Sequence, residues 1–238
     1  MATAKIITAA DQKGGVAKST TIAALGAGLI KQGKRVLYVD LDPQWNLTDT
    51  IAGSHADKGF TSCDLFREMP AADIVLETPN GCIIPSCSNM AGIKEAYPDM
   101  DITNIRDALT PIRAEYDYIL IDTPPSLGWI FINALAATDY LIIPTTADYY
   151  CLKSIGQLYT TFSVVRDNCN KGIKIAGILI TRYNSRTVLS RDMLKMIDDT
   201  AKEIHTKVYD AVIREGIAVR ESQMCHKSLF DYASTSNP

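Results

Sequence analysis

The sequence predicts a doubly wound α/β fold, with a mostly parallel sheet flanked by helices, and three observations support this prediction. Six short runs are rich in Ile, Val, Leu and Tyr and are apolar rather than alternating, as in strands that are buried on both faces of a parallel sheet. Helical stretches separate these runs, which predicts strand–helix–strand units with right-handed crossovers. A glycine-rich loop joins the first run to the first helix, at the edge of the sheet where such folds bind ligands.

The predicted elements alternate along the chain. The predicted strands are residues 6–10, 35–39, 118–121, 140–143, 175–180 and 208–213. The predicted helices are residues 19–31, 102–115, 130–137, 152–168 and 188–205. Residues 53–96 are the least regular part, and they predict a helix, irregular excursions and a short strand near residues 82–84. Since no linker or repeat divides the chain, we expect a single domain over residues 1–238.

Composition excludes several classes of protein. The chain has 238 residues, of which 47% are hydrophobic and 21% are charged, a balance that excludes disordered and fibrous proteins. No apolar run approaches the roughly 20 residues of a membrane span, and residues 1–10 lack a secretory signal pattern. We therefore expect a cytoplasmic protein with no membrane partner.

The six cysteines lack zinc-site spacing. The nearest pair is Cys82 and Cys87, and we expect small core residues rather than a metal site.

A phosphate-binding loop is predicted at residues 11–20, with the sequence DQKGGVAKST. It places glycines and successive backbone N–H groups at a helix N-terminus, where the helix dipole favours phosphate. Lys18 is predicted to bind the β- and γ-phosphates, and the Ser19 hydroxyl to bind Mg²⁺. The ordinary G-x-x-x-x-G-K-[ST] pattern is not met, because Gln12 and Ala17 occupy its glycine positions. The candidate nucleotide-binding residues in this loop are Lys13, Gly14, Gly15, Val16, Ala17, Lys18, Ser19 and Thr20.

The loop instead fits the pattern K-G-G-x-x-K-[ST], and in this respect the sequence resembles the ParA/Soj/MinD group of deviant Walker A P-loop ATPases. The resemblance implies an ATPase that uses ATP and Mg²⁺. It also implies that Lys13 reaches across an ATP-dependent homodimer to the ATP of the partner copy. The catalytic residues implied in this way are Lys13, Lys18 and Asp42.

Three acidic residues follow strands in the pattern that such an ATPase needs. Asp40 and Asp42 project to the same side of a strand, so that both can face the nucleotide. The resemblance implies that Asp42 orients the attacking water and that Asp40 lies near Mg²⁺. Asp122 ends the apolar run 118–121, as in a Walker B motif. The implied metal site therefore consists of Ser19, Asp40 and Asp122.

The resemblance extends over nearly the whole chain and favours the small Soj-like form. Residues 122–128 and 143–153 are similar to the ParA/Soj pattern, and the segment after the strand 175–180 makes Arg182 a candidate neighbour of the adenine. The phosphate loop begins so early that we expect no helix-turn-helix domain ahead of it. By motif position, Arg186 and Arg220 correspond to the arginines that bind DNA without sequence preference in this group.

Charge distribution agrees with such a role. The whole chain has a net charge of −3, whereas residues 166–238 carry twelve basic and nine acidic side chains, a net charge of +3. Arg191 and Lys195 could extend the basic patch. Phosphate contacts of this kind carry affinity and salt dependence but no sequence information. The resemblance thus implies a nucleoid-associated partition ATPase for a plasmid, a mobile element or a chromosome, with a ParB-like adaptor that stimulates hydrolysis.

Two departures and two alternatives accompany this interpretation. Asp11 stands where asparagine is common in the family, and its charge is expected to weaken nucleotide binding or alter turnover. Ala17 replaces the usual last glycine of the loop. A MinD-like membrane regulator would need a basic amphipathic helix at the C-terminal end, and residues 226–238 have one lysine and little periodicity. A slow ATP switch that positions a protein cargo is the second alternative.

Overall fold

A computed structural model of the chain describes residues 3–53, 59–67, 69–184 and 188–233. Within these ranges, eight strands form one sheet in the order β3-β4-β2-β5-β1-β6-β7-β8. Every pair in the sheet is parallel except β3–β4, which is antiparallel. The strands are β1 Lys5–Ala9, β2 Val36–Asp40, β3 Leu76–Thr78, β4 Gly81–Ile84, β5 Tyr118–Asp122, β6 Tyr140–Thr146, β7 Lys174–Tyr183 and β8 Val208–Arg214.

Helices cover both faces of the sheet, and the predicted fold class is confirmed. The α-helices are α1 Lys18–Lys31, α2 Asn46–Ala52, α3 Ala71–Ile74, α4 Ile93–Ala96, α5 Asn104–Leu109, α6 Trp129–Ala137, α7 Cys151–Asn168, α8 Val188–Glu203, α9 Ile217–Met224 and α10 Leu229–Tyr232. Short 3₁₀ helices span Ser62–Arg67, Ser88–Gly92 and Thr110–Ile112. No described helix is both long enough and apolar enough to span a membrane.

The strands are buried on both faces because alternate side chains pack into two different hydrophobic clusters. Leu37 and Val39 of β2 join the cluster packed against α5 and α6. Tyr38, between them, joins the cluster that contains Ile22 of α1 and Leu47 of α2. Each such side chain stabilises the fold by about 1.5–3 kcal/mol when fully buried. The burial of β2 on both faces explains why its sequence shows no alternation.

The structure shortens one predicted helix and adds elements that the sequence did not predict. The predicted helix 102–115 is shorter: α5 ends at Leu109 and continues only as a 3₁₀ turn, because Pro111 has no N–H to donate. The strand predicted near residues 82–84 is present as β4. Its antiparallel neighbour β3 was not predicted, and neither was the helix α9.

Strand register brings the acidic residues to one edge of the sheet. Asp122 pairs in register with Ala9 of β1 and with Asp40 of β2. Because these strands are parallel, their carboxyl ends meet at one edge. The loop that follows Ala9 therefore lies next to both acids, as expected for a ligand site in this type of fold.

Close packing of α1 on β2 depends on a helical glycine. Gly26 is buried, and a Cβ at this position would overlap the phenol ring of Tyr38. Gly28, in the same helix, has more room, since its Cβ would lie 3.5 Å from the ring of Phe230. Packing against Tyr38 therefore requires a glycine at position 26, whereas position 28 has space for a Cβ atom.

We expect Gly26→Ala to lower the free energy of unfolding by about 1–3 kcal/mol, because overpacking displaces Tyr38. Gly28→Ala is the matched control and is expected to stabilise the chain by about 0.5–1 kcal/mol, through helix propensity alone. Thermal unfolding measures both, with roughly 2–4 °C in Tm for each kcal/mol. Equal effects of the two substitutions would contradict the proposed contact with Tyr38.

Candidate active site

The loop between β1 and α1 adopts a conformation that few residue types tolerate. Gly15 has φ +75°, and Ala17 lies in the left-handed region with φ 65° and ψ 37°. The first helical hydrogen bond of α1 runs from the Thr21 N–H to the Ala17 carbonyl, over 2.9 Å. A side chain in this region costs about 1–2 kcal/mol, which glycine would avoid. Ala17 is therefore a strained position in this loop.

Lys18, the first residue of α1, is a buried cation surrounded by acids. Only 7% of the residue is exposed, and its Nζ donates to the Lys13 carbonyl over 3.4 Å. Burial lowers the pKa of Lys18, while the charges of Asp122, Asp11 and Asp42 oppose this shift. The ammonium group thus lies inside the loop, where a bound phosphate would meet it.

Asp122 has the properties of a ligand for a divalent cation. It is fully buried, and burial together with the charge of Asp40 raises its pKa well above the usual value. Its Oδ1 accepts from the Thr123 N–H over 3.1 Å, whereas its Oδ2 is buried with no hydrogen-bond partner among the described residues. The Ser19 hydroxyl faces the same carboxyl group. A bound cation would stabilise such a carboxylate, so Ser19 and Asp122 fit Mg²⁺.

Asp40 has a different environment. Its Oδ1 accepts from the Asp42 N–H over 3.0 Å, and its Oδ2 accepts from both the N–H and the hydroxyl of Thr48, each over 2.8 Å. Burial raises the pKa of Asp40 to about 6, although these three donors oppose the shift. Asp40 therefore anchors the start of α2 to the end of β2. Its role near a metal stays a prediction.

Asp42 lies at the wall of a cavity of about 540 Å³ that also contains the phosphate loop. Its Oδ1 accepts from the Gln44 N–H over 3.0 Å, and 6% of the residue is exposed. The same cavity is bordered by Lys18, Ser19 and Arg182. Asp42 therefore lines this cavity, whereas Asp40 does not.

Lys13 lies at the rim of the loop and is turned towards its own chain. Its Nζ donates to the Thr146 hydroxyl over 2.9 Å and forms an ion pair with Asp148. Burial raises the pKa of Asp148, but the hydrogen bonds from Lys13 and Thr146 outweigh burial and hold this pKa below its usual value. About a third of each side chain is exposed, so the ion pair contributes at most about 1 kcal/mol.

Comparison with known proteins identifies the family. A family model described as an AAA domain matches residues 4–175. The sporulation initiation inhibitor protein Soj of Bacillus subtilis is 37% identical over 233 residues, covering 96% of this chain and 91% of Soj. The chromosome partitioning protein ParA of Caulobacter vibrioides is 34% identical, covering 96% of this chain and 87% of ParA. This chain belongs to the ParA/Soj family of P-loop ATPases.

Solved structures agree on the fold of this ParA-like ATPase. Cobyrinic acid a,c-diamide synthase from Mycobacterium smegmatis, solved with ADP and magnesium, is 30% identical with a TM-score of 0.82, over 98% of this chain and 97% of that one. A putative plasmid partition protein from Borrelia burgdorferi, bound to AMPPNP, is 26% identical with a TM-score of 0.79, over 96% and 95%. Apo McdA from Cyanothece has a TM-score of 0.86 at 23% identity, over 97% and 94%, and shows the shared fold alone.

The remaining predicted residues of this ParA-like ATPase fall into three groups. Arg182 donates to the Gly15 carbonyl over 3.3 Å and to Glu215 over 3.1 Å, so it borders the phosphate loop. Arg220 also binds Glu215, over 2.8 Å, and lines the same cavity. Arg191 and Lys195 are exposed on α8. Arg186 lies outside the described residues. The contact of Arg182 with adenine and the DNA contacts stay predictions.

Several residues that organise the site were not predicted from the sequence. Thr181 donates its hydroxyl to the carbonyls of Val16 and Thr145, over 3.0 and 3.1 Å, and so joins the phosphate loop to β6 and β7. Thr48, Asp148 and Glu215 are further examples. The similarity of residues 143–153 to the ParA/Soj pattern includes Asp148, but the pattern alone assigns no contact to it.

Asp11 is a buried acid beneath the phosphate loop. It is 2% exposed, and its Oδ1 accepts from the Lys13 N–H over 2.9 Å and from the Ser154 hydroxyl. Its Oδ2 makes no hydrogen bond of normal geometry with the described residues, and the Thr145 hydroxyl lies beside the carboxyl group. Burial raises the pKa of Asp11, although the Lys13 N–H and Ser154 oppose the shift. Ionised Asp11 therefore destabilises the folded chain.

We expect Asp11→Asn to raise Tm at pH 7, because it removes this ionisation while its amide can donate towards Thr145. The penalty develops above the ordinary Asp pKa of about 4, where the unfolded carboxyl ionises, and is complete above the raised pKa of the folded carboxyl, so the gain should shrink as the pH falls towards about 4. Thermal unfolding between pH 4 and 7.5 measures this, with the exposed Asp99→Asn as control. A gain of equal size at both ends of the range would count against the assignment.

Proposed function

We propose that this ParA-like ATPase hydrolyses ATP, forms an ATP-dependent sandwich dimer, binds DNA without sequence preference and drives partition of a plasmid, a mobile element or a chromosome. One observation carries the proposal: the phosphate loop holds two lysines in different positions. Lys18 is buried inside the loop, and Lys13 lies at its exposed rim. One lysine is thus available to the nucleotide of its own chain and the other to a second copy.

Binding and hydrolysis follow from the groups around the cavity. The loop N–H groups and the N-terminus of α1 bind the phosphates, and Lys18 neutralises their charge. Ser19 and Asp122 would hold Mg²⁺, which when bound offsets the charge of the phosphates. Asp42 accepts a hydrogen bond from water and orients it towards the terminal phosphate, since phosphoryl transfer depends chiefly on position and charge.

Dimer formation would require Lys13 to exchange partners. In the single chain its ammonium is held by Thr146 and Asp148. In the dimer it would instead reach the phosphates of the ATP in the second copy. The ion pair with Asp148 is weak enough to be exchanged for a charge-assisted contact with a phosphate.

A slow ATP switch is a second candidate function, and two observations favour it. Ala17 occupies a left-handed position in the loop, and Asp11 places a buried carboxyl beside Lys18. Both features oppose tight phosphate binding. In this case the dimer and its cargo contacts would persist while turnover stayed low.

Substitution of the two lysines should separate nucleotide binding from dimer formation. We expect Lys18→Ala to weaken ATP binding by roughly 10- to 100-fold, as for loss of a charge-assisted contact of about 1.5–3 kcal/mol. Lys13→Ala should bind ATP with near wild-type affinity but remain a monomer and lose hydrolysis. Fluorescent-nucleotide titration measures binding, and sedimentation with ATP and Mg²⁺ measures the oligomeric state.

The exposed Lys34→Ala is the matched control for both substitutions, since it removes the same charge beyond the end of α1. A Lys13→Ala variant that dimerises and hydrolyses ATP like the wild type would overturn the proposed role of Lys13. Hydrolysis that is slow in the wild type, with dimerisation intact, would favour the ATP switch instead.

The proposed DNA surface lies at the same edge of the sheet as the nucleotide. The helix α8 follows the end of β7, and α9 follows the end of β8, so Arg191 and Arg220 both stand at the carboxyl edge. Glu215 pairs with Arg220, and a phosphate would have to compete with this carboxylate. A dimer doubles the number of basic groups presented together, which links DNA affinity to ATP. The name of the chromosome partitioning protein ParA supports a partition role. The proposal includes a ParB-like adaptor that stimulates hydrolysis.

We expect random-sequence duplex DNA to bind at low salt with ATP and Mg²⁺, but not with ADP or without nucleotide. Arg191→Ala and Arg220→Ala should each weaken binding about five-fold, corresponding to about 1 kcal/mol. Each should also reduce the slope of log affinity against log salt by about one unit. Arg35→Ala is the control, because Arg35 pairs with Asp117 at the opposite, amino edge of the sheet. DNA binding of equal strength with ATP, with ADP and without nucleotide would contradict the DNA part of the proposal.

A further inference from the structure

Two thiols meet in the irregular segment beside the sheet, although they are far apart in sequence. The Sγ atoms of Cys63 and Cys87 lie 3.4 Å apart. Cys63 is buried in the 3₁₀ helix Ser62–Arg67, and Cys87 is half-buried just before the 3₁₀ helix Ser88–Gly92. Sequence spacing singles out Cys82 as the neighbour of Cys87, whereas the fold brings Cys63 to it instead.

We propose that Cys63 and Cys87 form a reversible intramolecular disulfide, a modification site whose reaction partner is a low-molecular-weight disulfide. A disulfide has an S–S distance of about 2.05 Å, so closure requires the two sulfurs to approach by about 1.4 Å. The backbone segments that carry them are already joined, since the Ser62 N–H donates to the Pro85 carbonyl over 2.7 Å. A small movement therefore suffices.

A reagent can reach the pair through a cavity of about 390 Å³ that is bordered by both cysteines, Thr61, Arg67 and Tyr97. Cys87 is the more exposed of the two thiols, and burial raises the pKa of the Cys63 thiol to about 12. The accessible Cys87 thiol is therefore the group that reacts first, and Cys63 follows. No cluster of three or more potential metal ligands occurs in the described part of the chain, so a metal site is not the better explanation.

The exchange balances in two steps. The Cys87 thiolate attacks one sulfur of the small disulfide, whose S–S bond breaks as a mixed disulfide forms and one small thiolate leaves. Cys63 then loses its proton as its sulfur attacks Cys87 Sγ, and the second small thiolate leaves. Two protein thiols are oxidised, and one small disulfide is reduced to two thiols.

Each cysteine directly follows a serine that contacts the site. The Ser62 hydroxyl donates to the Asp40 carbonyl over 2.7 Å. The Ser86 N–H donates to the Thr48 hydroxyl over 2.9 Å, and Thr48 in turn donates to the Asp40 carboxylate. Drawing the two sulfurs together would move both serines and, through Asp40, the neighbouring Asp42. Displacement of a catalytic group by about 1 Å can cost roughly 100-fold in rate.

Peptide mapping of the full chain tests the modification. The reduced protein is incubated with oxidised glutathione, alkylated, digested and analysed by mass spectrometry. We expect a peptide pair linked through Cys63 and Cys87, with the loss of two hydrogen atoms and full reversal by dithiothreitol. Cys82→Ser is the matched control and should retain the link. In Cys63→Ser, Cys87 should stop at the mixed disulfide with glutathione. The proposal would be overturned if the wild type lacked the linked pair or showed a link to Cys82 instead. Both outcomes are measured on the wild type alone.

The effect on the site rests on the proposed ATP hydrolysis. Turnover of the oxidised wild type is expected to fall by about ten-fold or more and to recover with dithiothreitol, whereas Cys87→Ser should not respond to the oxidant. If the disulfide forms but ATP turnover does not change, the proposed coupling to Asp42 is wrong, whereas the proposed modification site is supported. A reduced protein without ATPase activity would count against the proposed function, while the peptide map would still decide the modification.

Discussion

The site is organised around one buried cation that faces several buried acids. Lys18 sits inside the phosphate loop, and the charges of Asp122, Asp11 and Asp42 all act on it. Burying a charge is unfavourable unless it is paired, so the loop, the strand ends and the helix α1 must keep these groups together. A divalent cation bound beside the phosphates would favour the ionised form of Asp122, whose pKa is raised by burial and by the charge of Asp40.

Asp40 transmits this organisation to the rest of the fold. It does not line the cavity, but its carboxylate accepts from Thr48 at the start of α2 and from the Asp42 N–H. Ser62 and Ser86 extend the same network to the irregular segment between α2 and α5. The part of the chain with the least regular secondary structure is thereby connected to the residue that is proposed to orient water.

The sequence predicts the phosphate loop and every described strand except β3, because their signals are local. The apolar run of β2 and the loop 11–20 can each be recognised from neighbouring residues alone. Contacts made by folding carry no such signal. Lys13 and Asp148 are 135 residues apart, and Cys63 meets Cys87 only because β4 lies beside β2. The early end of α5 could have been predicted from the sequence, because Pro111 lies within the predicted helix.

The strand order also determines when the protein can acquire its structure. β1 lies between β5 and β6, so Lys5 at the start of the chain pairs with Tyr118, and β2 likewise shares an edge with β5. During synthesis from the N-terminus, the phosphate loop emerges long before the strand β5 that completes its surroundings. Until then β1 has no neighbour and β2 has one open edge. A chain that stalls before β5 therefore exposes apolar strand edges, the condition in which aggregation competes with folding.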